Sequence, residues 1–209
     1  MKKLAIFVVL ILISNLIFAQ TFLFNENESG FDIGAGFAST SSASSVGLSA
    51  GYTFNGKLNV GGGVGFYSFN DLGFNLTTIG PSVSFLALRQ KEQEMPVSVT
   101  VSGSYQLGSQ TYMNVPISMN SLAFTGTILR SIDINDNFKI IPAGQIQWSS
   151  ASVDVGGIIV NNSSVSFAIE GIAVFNSKFY AFPKISFSGG SYSFSAGFGI
   201  IFPAKKTIS

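Results

Sequence analysis

Apolar and polar residues alternate with a period of two along most of the chain, and the stretch before the C-terminus shows this most clearly. From Tyr192 to Phe202 every second residue is apolar, and the residues between them are mostly Ser and Gly. Strict alternation is typical of a β-strand whose two faces meet different surroundings, since a helix repeats every ~3.6 residues. The pattern recurs, and it predicts ten strands at 31–40, 45–54, 58–69, 74–88, 96–108, 118–133, 138–151, 163–175, 179–188 and 191–202.

Two kinds of connection alternate between these predicted strands. One kind is short or charged and lies at 55–57, 89–95, 133–137 and 176–178. The other kind is rich in Ser, Gly and Asn and lies at 40–45, 70–73, 109–117, 152–162 and 188–190. Successive hairpin connections lie at opposite ends of an antiparallel sheet. With an even number of strands, both chain termini are then predicted at the end that carries the charged connections.

The hairpin around 176–178 allows the predicted pairing to be checked on both faces. If Phe175 faces Phe179 across the turn, apolar residues face apolar residues along the rest of the hairpin. In the same register Glu170 falls opposite Lys184 on the polar face. Opposite charges stabilise a cross-strand pair, so one register satisfies both faces.

The composition indicates that the apolar face is the outer one. Hydrophobic residues make up 46% of the chain and charged residues only 10%, against about 25% charged residues in an ordinary soluble domain. The polar face holds small uncharged side chains, which suit the interior of a narrow barrel. Because hydrocarbon does not tolerate an unpaired strand edge, we predict an all-β fold, a closed antiparallel up-and-down transmembrane β-barrel over 31–202. Ten strands are predicted, with eight as the alternative if the segments 74–88 or 179–188 are irregular.

The N-terminal segment has the features of an export signal. Two lysines precede an apolar run from Leu4 to Ile13, and Ala19 stands before Gln20. This arrangement predicts a secretory signal peptide over 1–19, with an uncleaved anchor helix as the alternative. Residues 20–30 and 203–209 flank the barrel at the end that carries the charged connections. We predict that this end faces the periplasm, with 20–30 as a periplasmic N-terminal segment and 203–209 as a periplasmic C-terminal tail.

The residue types that are missing exclude several kinds of chemistry. The chain has no Cys and no His, which excludes disulfides, thiolate metal sites, thiol nucleophiles and the commonest general base. The net charge of +1 gives no electrostatic footprint for nucleic acid. The glycine-rich run 60–65 continues as a strand and is interpreted as structural, not as a phosphate-binding loop. No catalytic residue, metal site or cofactor is predicted, and we expect no enzymatic activity.

Four charged residues are predicted to face the barrel interior. Glu170 and Lys184 form a predicted ion pair, and Asp32 and Lys139 are candidates for the same group. Such a group could gate a narrow pore or hold the interior together. The second role is favoured, because side chains fill the interior of small barrels.

Four residues do not fit the regular pattern. Pro81, Pro142 and Pro183 lie within predicted strands, where each removes a backbone donor, and local bulges are expected there. Arg130 falls on the lipid-facing side. It lies close to a turn, where its long side chain can extend toward lipid headgroups.

Three features resemble known proteins when they are taken together with the repeated alternation. They are the Phe18-Ala19-Gln20 export junction, the strand Ile79–Phe85 and the final strand that ends at Phe202. With them the chain resembles the small outer-membrane β-barrel families of Gram-negative bacteria. The resemblance implies contact with outer-membrane lipid and insertion by an assembly machinery that recognises the last strand, 191–202. The tail after Phe202 departs from the pattern, because many members end at the aromatic residue.

Three functions remain open at this point. The first is a non-enzymatic integral outer-membrane barrel with a structural role or an interaction through its loops. The second is the same barrel acting as a narrow passive channel for small solutes. The third is a soluble secreted barrel with its faces reversed, which would bind an apolar ligand inside. The sequence does not fix the oligomeric state.

Overall fold

The structure is a computed structural model that describes residues 23–69, 74–91 and 94–204. The predicted signal peptide at 1–19 and residues 205–209 of the predicted tail lie outside the described residues. No helix in the described part of the chain is long and apolar enough to cross a bilayer. The strands are β1 (Gly30–Ser39), β2 (Ala43–Phe54), β3 (Leu58–Phe69), β4 (Phe74–Leu88), β5 (Ser98–Tyr112), β6 (Val115–Leu129), β7 (Ile132–Asn135), β8 (Phe138–Val155), β9 (Ile158–Phe175), β10 (Phe179–Ser188) and β11 (Ser191–Pro203).

Ten of these strands close into an antiparallel barrel. Sequential strands are neighbours around the ring, β1 pairs with β11, and β6 pairs with β8. The short β7 pairs with the first residues of β8 and continues the line of β6. The predicted closed barrel of ten strands is therefore confirmed, and the alternative of eight strands is wrong.

The two ends of the barrel carry different segments. The terminus end holds residues 23–29, the connections 55–57, 136–137 and 176–178, and the described parts of the connection after β4, 89–91 and 94–97. At this end the N–H of Ala204 donates to the carbonyl of Ser29 (2.7 Å), so both ends of the described chain lie together, as predicted. The far end holds the connections 40–42, 113–114, 156–157 and 189–190.

Side-chain exposure confirms that the apolar face is outside. Phe198 and Ile169 are 64% and 69% exposed, whereas Ser193 and Ser195 on the other face are 5% and 4% exposed. Aromatic side chains point outward near both ends of the wall, among them Phe54, Phe175, Phe179 and Phe202 at the terminus end and Tyr105, Trp148, Phe187 and Tyr192 toward the far end. The alternative of a soluble barrel with reversed faces is therefore wrong.

The β9–β10 hairpin has the predicted register. Phe175 pairs with Phe179, and Glu170 pairs with Lys184. The agreement follows from the period of two, because a slip by one residue would exchange the apolar and polar faces of a whole strand.

The sixth predicted strand, 118–133, is divided into β6 and β7 opposite a proline. The N–H of Arg130 donates to the carbonyl of Pro142 (3.1 Å), but proline has no N–H to return the second bond of the pair. The β6–β8 ladder ends at Leu129, and the β7–β8 ladder resumes at Ile132 in the same register.

The expected bulges at Pro81, Pro142 and Pro183 are wrong, and at Pro142 the β6–β8 and β7–β8 ladders share one register. The cross-strand pairing is interrupted beside each proline, but the strands have the same register on both sides of the interruption. Each proline costs a ladder hydrogen bond without inserting a residue, so no shift is required. The register shifts lie instead at the terminus end, between Leu86 and Leu88 and between Asp133 and Asn135.

Two segments predicted as loops, 109–117 and 152–162, are mostly strand. They form the ends of two long hairpins that turn at 113–114 and 156–157. All four turn residues have positive φ, the conformation of the tight turns that match the twist of a hairpin. The segments lack clear alternation, and their strand structure rests on backbone pairing: β5 with β6, β6 with β8 and β8 with β9.

Candidate functional site: the filled interior and the projecting sheet

The middle of the barrel interior is lined by small or uncharged polar side chains, as the polar face of the strands predicts. Thr78, Ser84 and Ser186 are almost fully buried there. The hydroxyl of Tyr67 is hydrogen-bonded to Thr78 and Gln106 on the two following strands. Among the described residues, no three acidic side chains converge to form a metal site.

Glu170 and Lys184 lie in this polar region as cross-strand neighbours. They are 8% and 6% exposed and belong to adjacent strands, β9 and β10. The Nε2 atom of Gln145, on the other neighbouring strand, donates to a carboxylate oxygen of Glu170 (2.6 Å). Sequence reasoning did not single out Gln145. The opposite charges of Glu170 and Lys184 attract each other, and their role as a direct ion pair stays a prediction.

Asp32 belongs to a second polar cluster, nearer the terminus end. It is 2% exposed. Its carboxylate accepts a hydrogen bond from Asn59 Nδ2 (2.9 Å), and Asn59 also donates to the Thr53 hydroxyl (2.9 Å). Sequence reasoning did not single out Thr53 of β2 or Asn59 of β3, although the alternation of apolar and polar residues places both on the inward face.

Lys139 is a half-buried residue at the terminus end, where it pairs with Asp133 of β7. Lys139 lies four residues before Ala143 on β8, and Ala143 is the cross-strand partner of Glu170 on β9. The side chains of Tyr180 and Phe182 also lie between the level of Asp32 and that of Lys184 on the inner face of β10. Glu170 and Lys184 thus share one level of the interior, and Asp32 and Lys139 lie nearer the terminus end.

Large apolar side chains fill the interior at the far end. This far-end cluster consists of Ala43, Tyr67, Phe69, Leu76, Ile117, Met119 and Val153. Its members come from β2, β3, β4, β6 and β8, so they reach inward from several sides of the ring.

A second apolar cluster fills the terminus end. It combines inward-facing strand residues with two residues that precede the barrel: Leu23, Phe24, Leu129, Ile141, Ala143, Ile172, Val174, Tyr180, Phe182 and Ile201. Leu23 and Phe24 are 6% and 1% exposed. The sequence did not predict that this segment enters the barrel mouth.

Interior glycines make room for the aromatic rings of this terminus-end cluster. A Cβ atom on Gly34 would lie 2.6 Å from the hydroxyl oxygen of Tyr180, and one on Gly199 would collide with the same ring. A Cβ atom on Gly197 would lie 2.5 Å from the ring of Phe182. The rings of β10 therefore lie against the bare backbone of neighbouring strands, and they occupy the space that a channel would need.

Polar contacts hold the N-terminal cap, defined as residues 23–29, on the terminus end. The Arg89 guanidinium donates to the carbonyls of Phe24 (3.1 Å) and Gly56. The N–H of Asn27 donates to the carbonyl of Asn55 (3.2 Å), whose own N–H donates to the Ser29 hydroxyl (2.9 Å). Burial lowers the pKa of the Arg89 guanidinium, and the negative charge of Glu26 acts in the opposite direction.

At the far end, four strands continue past their neighbours as a projecting sheet, defined as residues 109–118 and 152–165. The β9–β10 ladder ends at Phe167, so 158–165 of β9 pair only with β8 among the described strands. On the other side the β4–β5 ladder begins at Gly108. Eight residues of antiparallel strand span roughly 27 Å, so the hairpin tip stands well clear of the ring.

The tip of the projecting sheet exposes apolar side chains. Met113 is 79% exposed, Ile158 64% and Ile159 63%, and Val115, Val155 and Val160 are partly exposed beside them. The two hairpin tips touch, since the N–H of Gly156 donates to the carbonyl of Pro116 (3.0 Å). The projecting segment of β9 carries no charged residue.

These features define a class of protein. The strand ladder closes on itself, the outer wall is apolar, and aromatic side chains lie near both of its ends; these are the properties of outer-membrane barrels. The chain is an integral outer-membrane β-barrel protein. Its lipid-facing wall and its filled interior follow from the same alternation of residues.

Comparisons with known proteins give only distant similarities to solved structures and do not identify a function. No protein-family model matches the chain, and no curated protein matches its sequence. Among solved structures, it is similar to the attachment invasion locus protein Ail of Yersinia pestis (13% identity, 86% of this chain and 100% of that chain, TM-score 0.39). It is also similar to the N-terminal β-barrel domain of OprF of Pseudomonas aeruginosa (12% identity, covering 85% of this chain and 98% of that chain, TM-score 0.39). A third similar structure is the β domain of the Bordetella autotransporter BrkA (12% identity, covering 85% of this chain and 100% of that chain, TM-score 0.46).

Proposed function

We propose that the protein is a non-enzymatic, non-conducting barrel that displays the projecting sheet outside the cell as a binding surface for an extended polypeptide segment. The free edge of β9 over 158–165 is the observation that carries this proposal. The terminus end, with 20–30 and 203–209, then faces the periplasm, and the long hairpins that run past their neighbours lie at the far end, in agreement with the longer extracellular segments of outer-membrane barrels.

The free edge of β9 offers unpaired backbone groups to a partner strand. The carbonyl of Val165 accepts the Ser188 hydroxyl (3.3 Å) on the side of β10. Backbone groups alternate sides along a strand, so Ile159, Asn161 and Ser163 direct their N–H and C=O groups to the same open side. Free strand edges bind extended peptides by adding a strand to the sheet. Because this edge carries no charge, we expect an uncharged partner segment.

A proline substitution tests the role of the edge. Asn161→Pro removes one outward N–H, and proline is tolerated where that N–H is unpaired. An uncharged peptide with the sequence of 146–153, from the strand that β9 already pairs with on its other side, serves as the probe in fluorescence anisotropy. We expect at least about fivefold weaker binding to Asn161→Pro, the effect of losing one hydrogen bond of about 1 kcal/mol, and unchanged binding to the control Asn161→Thr. Equal binding to all three proteins would overturn the proposal.

Labelling of intact cells tests the orientation. Because the chain has no Cys, Ile159→Cys introduces a single thiol at the tip of the projecting sheet. We expect a membrane-impermeant maleimide to label Ile159→Cys in intact cells and to leave the control Lys178→Cys, at the terminus end, unlabelled until the cells are opened. The reverse pattern would place the projecting sheet in the periplasm.

The two apolar clusters argue against the channel alternative. They cross the interior at both ends, and Glu170 and Lys184 lie between them, where we propose that they hold the interior together. We expect no discrete conductance steps for the purified protein in planar bilayers, with a known porin as positive control. Steps that disappear in Glu170→Ala would instead support the narrow channel.

We also propose that the assembly machinery recognises the last strand, 191–202. Its support is the regular outward series that ends at Phe202, which is 49% exposed.

A further inference from the structure

The barrel wall has a gap at the terminus end. There β6 continues into β7, but β5 begins only at Ser98, so β7 pairs with β8 alone among the described strands. A cavity of about 640 Å³ occupies the gap between β7 and the connection after β4. The polar residues that line it include Arg89, Gln90, Ser98, Arg130, Asp133 and Lys139.

The rim of this wall cavity is held by specific hydrogen bonds. The Gln90 side chain takes the place of a missing strand: its Oε1 accepts the N–H of Ser131 (2.7 Å), and its Nε2 donates to the carbonyl of Ser131 (3.1 Å). The N–H of Gln90 donates in turn to the Ser98 hydroxyl (2.8 Å). Backbone groups alternate sides along a strand, so the N–H of Asp133 points toward the cavity, as that of Ser131 does.

The charges around the wall cavity leave a cationic excess. Lys139 and Asp133 are register partners and balance each other. Arg89 interacts with the charge of Glu26, but its Nε atom is buried and has no acceptor among the described residues. Arg130 has no acidic partner within ion-pair distance in the described part of the chain.

Arg130 connects the wall cavity to the lipid-facing wall. It lies at the end of β6 between outward-facing Ile128 and Ile132, which are 57% and 41% exposed. These isoleucines face the bilayer, so a molecule that reaches the cavity past them comes from the membrane. A guanidinium group matches the geometry of phosphate and binds it through two parallel hydrogen bonds.

We propose that the wall cavity binds the phosphate of an anionic phospholipid from the leaflet at the terminus end. The Arg130 guanidinium is the donor to the phosphate, the positive charge of Arg89 in the cavity lining attracts it, and the acyl chains lie on Ile128 and Ile132. A net negative headgroup is preferred because the cavity carries a net positive charge.

Native mass spectrometry of the purified full-length protein tests this site. The protein is mixed with phosphatidylglycerol or phosphatidylcholine at equal concentration, and the fraction that retains lipid is measured. We expect phosphatidylglycerol to be preferred and Arg130→Gln to reduce its retention about fivefold, the effect of one cation at an anionic lipid surface. Lys178→Gln is the matched control, since it removes an exposed cation at the same end but outside the cavity.

Two results would overturn the proposal. One is that the wild type retains phosphatidylglycerol and phosphatidylcholine equally, or that the wild type and Arg130→Gln retain equal amounts of phosphatidylglycerol. The other is loss of bound phosphatidylglycerol in an excess of inorganic phosphate, which would assign the site to the free anion. Both variants must show the faster gel migration of an unheated barrel, and Arg130→Lys serves as a second variant if Arg130→Gln does not fold. We expect Arg130→Lys to retain less phosphatidylglycerol than the wild type, because an ammonium group cannot form the two parallel bonds.

Discussion

Two isoleucines of β9 show how the surroundings decide the role of a side chain. Ile169 and Ile159 are both exposed on the outer face of the same strand, at 69% and 63%. Ile169 lies within the part of β9 that pairs with β10, in the lipid-facing wall, whereas Ile159 lies in the projecting sheet. Exposure to lipid stabilises an apolar side chain, and exposure to water does not.

This difference predicts opposite tolerance to charge. Ile169→Arg should destabilise the barrel in vesicles by about 2–4 kcal/mol, the cost of a cation near the bilayer midplane. Ile159→Arg should change stability by less than about 0.5 kcal/mol, as surface substitutions do. Urea unfolding in lipid vesicles measures both. An equal loss of stability in the two variants would mean that the lipid-facing part of β9 is wrongly assigned.

Gly199 and Gly171 form a second matched pair at this scale. A Cβ on Gly199 would collide with the Tyr180 ring, whereas a Cβ on Gly171 meets nothing within 4 Å. Gly199→Ala should therefore cost about 1–3 kcal/mol, the usual penalty of overpacking, and Gly171→Ala should cost much less. Similar unfolding free energies for the two variants would show that space beside Tyr180 does not limit the residue at 199.

At the scale of elements, the N-terminal cap depends on one side chain. Arg89 donates to carbonyls of the cap and of the β2–β3 turn, and hydrogen bonds from a charged group contribute about 1.5–3 kcal/mol each. We expect Arg89→Met to loosen the cap and to speed amide exchange at Asn27 and Asn55. Lys91→Met is the control, because the Lys91 side chain forms an ion pair with exposed Glu94 (3.1 Å) and makes no described contact with the cap. Unchanged exchange in Arg89→Met would mean that Leu23 and Phe24 hold the cap without it.

Element boundaries were predictable where the strands lie in the wall and not where they leave it. The hairpin 179–188 to 191–202 was predicted almost residue by residue, because one face meets lipid and the other the interior. In 152–162 only Val153 packs into the far-end cluster, and the residues from 154 to 162 are at least partly exposed on both faces of the sheet. No alternation is then required, and the Ser, Asn and Gly residues were interpreted as a loop.

The apolar clusters at the ends of the interior left a weaker signal in the sequence. They lie where alternation changes into consecutive apolar residues, as in Phe66-Tyr67, Ile140-Ile141 and Ile200-Ile201. One residue of each pair faces lipid and the other fills the interior. Such pairs near strand ends indicate a filled barrel mouth, although the partners across the ring are fixed only by the fold.

The whole molecule should behave as one closed unit. Among the described strands, each of the ten that form the ring is paired on both sides, so the ring opens only when a whole strand ladder is broken. We expect the unheated protein to migrate faster than the boiled protein on a detergent gel, and to precipitate when detergent is removed. A protein that stays soluble without detergent, with one mobility before and after boiling, would contradict the membrane assignment.

The sequence by itself determined the class of fold, the register of the β9–β10 hairpin and the face that meets lipid, and it favoured ten strands over eight. All of these follow from a period of two, which is a local property of the chain. Tertiary structure decided how Asp32, Lys139, Glu170 and Lys184 are distributed in the interior, how the cap closes the terminus end, and where β9 runs past its neighbour. These depend on which residues meet across the ring and on unequal strand lengths, and no local pattern encodes either one.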